Sequence, residues 1–100
     1  MSIVYVETTL RGNLDAFDVL VKMVKFDCGP DGVIVIDARS GAATLSRDDV
    51  DDADCVLELT SEDLQLILDK ELDPTGAFMS GRLRVKGDMG VAMQLATVLG

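Results

Sequence analysis

The sequence contains no histidine and no tryptophan. Without histidine, neither a Ser-His-Asp nor a Cys-His catalytic arrangement can be assembled, and histidine-based zinc sites are excluded. Four aromatic residues occur, Tyr5, Phe17, Phe26 and Phe78. They are too few for the stacking platforms that hold bases or sugars. Basic residues are scarce, nine against eighteen acidic, so the net charge is −9. Nucleic acid is therefore not an expected partner, because phosphate binding needs a basic footprint. The same charge predicts that the chain as a whole releases readily from anionic membranes. Cys28 and Cys55 form no C-x-x-C pair, so neither a metal site nor a redox motif is expected.

Long apolar runs are missing too. No stretch approaches the roughly 18 consecutive apolar residues of a membrane span. The opening Met1-Ser2-Ile3-Val4-Tyr5-Val6-Glu7 has no basic n-region, and the closing Thr97-Val98-Leu99-Gly100 is not a peroxisomal S-K-L address. The expected location is cytoplasmic, with both thiols reduced.

What the chain does have is apolar volume. Apolar residues make up 48% of the 100 residues and charged residues 27%, which fits one globular domain over residues 1–100. Five methionines outnumber the aromatics. Methionine is a flexible filler that also lines adaptable binding surfaces.

Periodicity orders the chain. Val6, Leu10, Leu14 and Phe17 lie on one helical face over about residues 4–17, weakened by Gly12 and Asn13. A short strand follows from Val21 to Asp27. The Cys28-Gly29-Pro30-Asp31-Gly32 turn then leads into Val33-Ile34-Val35-Ile36, a β-branched strand. The two strands read as a hairpin, with Cys28 exposed in its turn. Ala42–Ser46 is a weak third strand, Arg47–Asp54 an acidic loop and Cys55–Leu59 a fourth strand. Thr60 caps a helix with Asp63 three residues on, and Leu64, Ile67, Leu68 and Leu72 continue its face until Pro74. Leu83 and Val85 alternate with Arg82, Arg84 and Lys86 in a fifth strand. Asp88 caps a last helix whose apolar face is Met89, Ala92, Met93, Ala96 and Leu99. Grouped strands with few helices predict an α+β fold, with helices over one face of a largely antiparallel sheet.

Few motifs carry chemistry. Starting at Asp49, the acidic loop offers Ala53 and Thr60 where a calcium loop needs an oxygen ligand and a closing Glu, so it reads as a solvated turn. Gly87-Asp88-Met89-Gly90 matches no phosphate-binding pattern, and Asp88 would repel a phosphate. No metal, cofactor or catalytic residue is expected. The Arg82, Arg84 and Lys86 stripe is either a solvent-facing strand side or a docking point for an anionic head group. Phe78-Met79 and Met89/Met93 read equally as core or as the wall of an apolar cavity.

A longer pattern speaks to this choice. Its parts are Ala53-Asp54-Cys55, Ser61-Glu62-Asp63-Leu64 and Leu72-Asp73-Pro74, followed by the run from Ala77 through Phe78-Met79-Ser80-Gly81-Arg82-Leu83-Arg84-Val85-Lys86-Gly87-Asp88-Met89 to Met93. With Asp31–Asp37, these resemble the sterol carrier protein 2 (SCP-2) family over about residues 22–99. The resemblance implies a five-stranded largely antiparallel or mixed sheet, helices over one face and an apolar tunnel between. It also implies non-catalytic binding and transfer of a fatty acid, acyl-CoA, phospholipid or sterol. Phe78, Met79, Leu83, Met89, Ala92, Met93 and Ala96 would border the cavity, the small Ala92 and Ala96 leaving room. Arg82, Arg84 and Lys86 would touch a head group. Expected partners are a lipid and, transiently, a membrane, with the protein a monomer or weak dimer. The competing expectation is an interaction module whose groove receives a partner helix or a second copy. An acyl carrier protein would need a D-S-L triplet, and none occurs.

Overall fold

Val33–Asp37 and its neighbour Met23–Asp27 set the geometry of everything else. In the computed structural model, which describes residues 3–99, these segments are strands β2 and β1. They pair antiparallel, with Val24 opposite Ile36 and Phe26 opposite Ile34. Their turn is closed by the Cys28 amide donating to the Gly32 carbonyl at 2.9 Å, around a short 3-10 turn at Gly29–Asp31. β3 (Thr44–Ser46) adds antiparallel to the outer side of β2. β4 (Cys55–Glu58) lies parallel to β1, and β5 (Arg84–Gly87) closes the sheet antiparallel to β4. The five strands run β3-β2-β1-β4-β5, so the sheet is mixed and the fold is α+β.

Side chains alternate across a strand, so this register assembles one apolar face. Val24, Phe26, Ile34, Ile36, Cys55 and Leu57 occupy it, all buried. Burial at about 25 cal/mol per Å² of apolar surface is what drives helices onto that face. The opposite face is not left to solvent. Lys25 projects from it and donates to Asp49 Oδ1 at 2.8 Å and to the Val50 carbonyl at 2.9 Å. The acidic segment between β3 and β4 is thus strapped across the sheet rather than forming a free solvated turn.

The first helix is shorter than its spacing predicts. α1 (Ile3–Gly12) ends at Gly12, and a 3-10 helix takes over at Leu14–Leu20. Glycine and asparagine are poor helix formers, and the tighter helix still buries Phe17 and Leu20. α2 (Ser61–Leu68) starts where the capping pattern places it, with the Asp63 amide donating to Thr60 Oγ1 at 3.0 Å. It stops before Leu72, because Lys70 adopts a left-handed conformation, φ +64°. Its ammonium donates to the Leu99 carbonyl at 3.0 Å and so caps the far end of the last helix.

A further helix appears where the sequence reading placed only a stop. α3 (Pro74–Met79) is capped by Asp73, whose Oδ2 accepts from the Gly76 amide at 3.1 Å, with proline in the first turn. Proline is pre-organised for that position. α4 (Met89–Leu99) follows β5 directly, Asp88 Oδ1 accepting from the Gly90 and Val91 amides. Cys28, expected to be exposed, is buried at 3%, as a member of the hydrophobic core. No described helix is long and apolar enough to cross a membrane.

Candidate functional site

α4 has no charged residue, and Gln94 and Thr97 are its only polar side chains. A helix that is apolar on all sides belongs in an interior. Only one side of α4 reaches one: Val91, Leu95 and Leu99 are buried in the core. Residues three and four apart share a helix face. Met89, Ala92, Met93 and Ala96 therefore form a second apolar stripe.

That stripe faces a cavity of about 260 Å³. The sheet supplies one wall through Leu57 and Val85, cross-strand partners on β4 and β5, together with Leu83. α3 supplies another through Pro74, Thr75 and Phe78. Ala92 and Ala96 stand where α4 would otherwise fill the space, and Leu99 completes the lining. The mouth is open: Phe78 is 46% exposed, Met89 50% and Met93 71%. No lining side chain ionises, and the Thr75 hydroxyl is the one polar side-chain group among them. A buried charge would go unpaired there, whereas an apolar chain would lose nothing by entering.

The structure brings together Phe78, Leu83, Met89, Ala92, Met93 and Ala96, six of the seven residues expected at a cavity. It does not bring Met79 with them. One helical step turns Met79 away from Phe78 and leaves it 81% exposed. Leu57, Pro74, Thr75, Val85 and Leu99 also line the space. Val85 and Leu99 carried a signal, as continuations of the Leu83 alternation and the α4 face. Pro74 and Thr75 depend on α3, and Leu57 depends on strand order.

The basic stripe divides. Arg82 binds Asp63 at 2.5 Å, and Lys86 binds Glu58 at 3.3 Å. Arg84 makes no ion pair among the described residues, although it lies opposite Glu58 in the register. Alternation puts Arg84 and Lys86 on the sheet face away from the cavity. They approach its rim around the free edge of β5, where Glu58, Arg84 and Lys86 share a shallow depression with Phe78, Leu83 and Val85.

Neither thiol is set up for nucleophilic attack. Burial, reinforced by Asp31 and Asp27, pushes Cys28 up to about 11. Burial, with Asp88 and Asp54, does the same to Cys55, also to about 11. Among the described residues, no three His, Cys, Asp or Glu side chains gather as a metal would require.

Comparison with known proteins agrees with this architecture. The profile of the SCP-2 sterol transfer family matches residues 6–100. Mouse (Mus musculus) stomatin-like protein 1 is 43% identical over 72 residues, covering 71% of this chain and 18% of that protein. Rat (Rattus norvegicus) sterol carrier protein 2 is 30% identical over 70 residues, covering 70% and 13%. The chain thus spans less than a fifth of the length of these curated relatives. Among solved structures, palmitated SCP2L2 from Aedes aegypti superposes with a TM-score of 0.71 at 20% identity, covering 99% of this chain and 95% of that one. From the family profile together with the shared fold, the chain is a member of the SCP-2 sterol transfer family.

Proposed function

We propose that the cavity between α3, α4 and the β4–β5 edge binds the apolar part of a lipid, such as a fatty acid, acyl-CoA, phospholipid or sterol, and releases it unchanged. One observation carries this reading: an uncharged helix presents a second apolar face to an open cavity whose lining holds no ionisable group. Each buried methylene contributes about 0.8 kcal/mol, so a chain of moderate length supplies useful affinity without polar contacts. Methionines at the mouth adapt to different chain shapes.

The size of the cavity supports an acyl chain as its occupant. At about 260 Å³ it lies just under the usual range for whole small-molecule sites. A flexible chain can enter in part and lay its remainder along the exposed Phe78 and Met93. A rigid fused-ring body has to enter whole. Any head-group contact falls to Arg84, because acids already engage Arg82 and Lys86.

Native mass spectrometry of freshly purified protein, followed by solvent extraction, tests the proposal. Co-purified lipid that is released by extraction is the expected result. A ligand-free dimer would instead point to a groove that receives a second copy, and would overturn the carrier reading.

A further inference from the structure

The last residue of α4 borders two spaces rather than one. Beside the apolar cavity lies a second, of about 210 Å³, lined by Ile67, Lys70, Glu71, Leu72 and Asp73 together with Leu99. Leu99 is the one described residue that lines both. The two linings also meet at the Asp73–Pro74 bond, with Pro74 in the first and Asp73 in the second. Leu99 and the start of α3 thus stand between them. Either space alone is smaller than a usual small-molecule site, and joined they would fall within that range.

The two spaces differ in chemistry. The first has no ionisable lining group, whereas Lys70, Glu71 and Asp73 all reach the second. An alkyl chain gains from entering the first and has less to gain from the second. Leu99 is firmly held at this boundary. It is 4% exposed, and Lys70 Nζ donates to its carbonyl at 3.0 Å. The left-handed turn at Lys70 ends α2 at the place from which that bond is made. At the other end of the stripe, Met89 stands at the open mouth, about 15 Å from Leu99 along the helix.

We propose that Leu99 is the floor of the lipid cavity and sets the length of acyl chain it accepts, with Lys70 as the residue that positions it. The proposal rests on the carrier reading and adds its selectivity. A chain entering beside Phe78 and Met93 runs along Ala92 and Ala96 until its end meets Leu99. Methylenes beyond that length stay at the mouth on partly exposed side chains and add little.

Displacement of a fluorescent fatty acid by saturated fatty acids from octanoate to stearate tests the floor. For the parent, affinity should rise about fourfold per methylene and then flatten at one chain length. Leu99→Ala removes three carbons from the floor, room for about two methylenes of ligand. It should move the flattening to longer chains and bind stearate more than about tenfold tighter than the parent, with octanoate bound no tighter. Lys70→Met keeps the Leu99 side chain in the core and releases only its carbonyl. It should shift the profile the same way, by about fourfold for stearate. Circular dichroism checks that each variant is folded, and Lys70→Met alone carries the test if Leu99→Ala is not. An unchanged flattening length in every folded variant would overturn the floor. So would a uniform loss at all chain lengths, which would make Leu99 packing alone, or a parent whose affinity climbs undiminished through stearate. A parent that binds no fatty acid would instead sink the carrier reading itself.

Discussion

Gly87 passes so close to Asp54 that a Cβ added to it would lie 2.5 Å from the Asp54 carbonyl oxygen. The same carbonyl accepts from the Asp88 amide at 2.8 Å, and the Asp54 side chain accepts from the Met23 amide at 2.9 Å. Asp54 therefore joins β1, the start of β4 and the turn into α4. Gly87 is also left-handed, with φ +94°.

Gly87→Ala should cost about 3 kcal/mol, combining a strained backbone with overpacking against an atom that cannot move away. That is roughly 15 °C in Tm for a domain of this size. Thermal unfolding followed by circular dichroism measures it. A loss below about 1 kcal/mol would mean that the turn opens easily and that β5 is not held at this point.

The two cysteines should behave as packing residues. A thiol whose pKa is raised to about 11 remains protonated, and hence unreactive, through neutral and mildly alkaline pH. Iodoacetamide at pH 8 should leave both unlabelled in the native protein and modify both in denaturing urea. Rapid native labelling of Cys28 would show that its turn lifts away from the sheet.

Glu7 couples α1 to the sheet. It accepts from Arg11 at 2.9 Å and from Arg47 at 3.1 Å, and Arg47 also donates to the Val33 carbonyl at 3.0 Å. The hydrogen bonds from Arg11 and then Arg47 hold the Glu7 carboxyl below its ordinary value of 4.5. A depressed acid stabilises the folded state above its unfolded pKa, and that contribution fades as the pH falls through the folded value. Tm should therefore drop below about pH 4.5, and Glu7→Gln should show a shallower drop. Relief of acid–acid repulsion acts in the opposite direction but is largely common to both proteins. Superimposable curves would show that the pair contributes nothing, the usual fate of an exposed ion pair.

How far the sequence reveals the fold depends on the distance over which each signal acts. Val33–Ile36 is legible because its β-branched run admits little else. The starts of α2 and α4 are legible because Thr60 and Asp88 act within three residues of themselves. α3 is hidden because Pro74 ends one pattern while opening the next, and its role depends on Asp73 acting as a cap. The strap between Lys25 and Asp49 links residues 24 apart, and strand order alone puts them together. The cavity follows the same rule. Residues from the single segment Phe78–Ala96 are legible through the family resemblance, since spacing alone reads them equally as core, whereas Leu57 enters only through its pairing with Val85. Met79 shows the limit of proximity, since its neighbour Phe78 reaches the cavity and it does not.

Ala92 offers the most direct test of the cavity. It lies on the stripe of α4 that lines the space, near the middle of the helix, where its small side chain leaves room. Ala92→Trp would place an indole in that room. The open mouth lets the ring settle there without moving the backbone, so the fold should survive with Tm unchanged or slightly raised. An occupant deprived of even four buried methylenes loses about 3 kcal/mol, more than a hundredfold in Kd. Fluorescent fatty-acid titration should therefore show uptake falling by at least that factor. Gln94→Trp adds the same ring to an exposed position of the same helix outside the cavity and should bind as the parent does. Equal binding by Ala92→Trp would mean that lipid, if it binds, does so elsewhere. Equal loss in both variants would place the effect in the helix rather than the cavity.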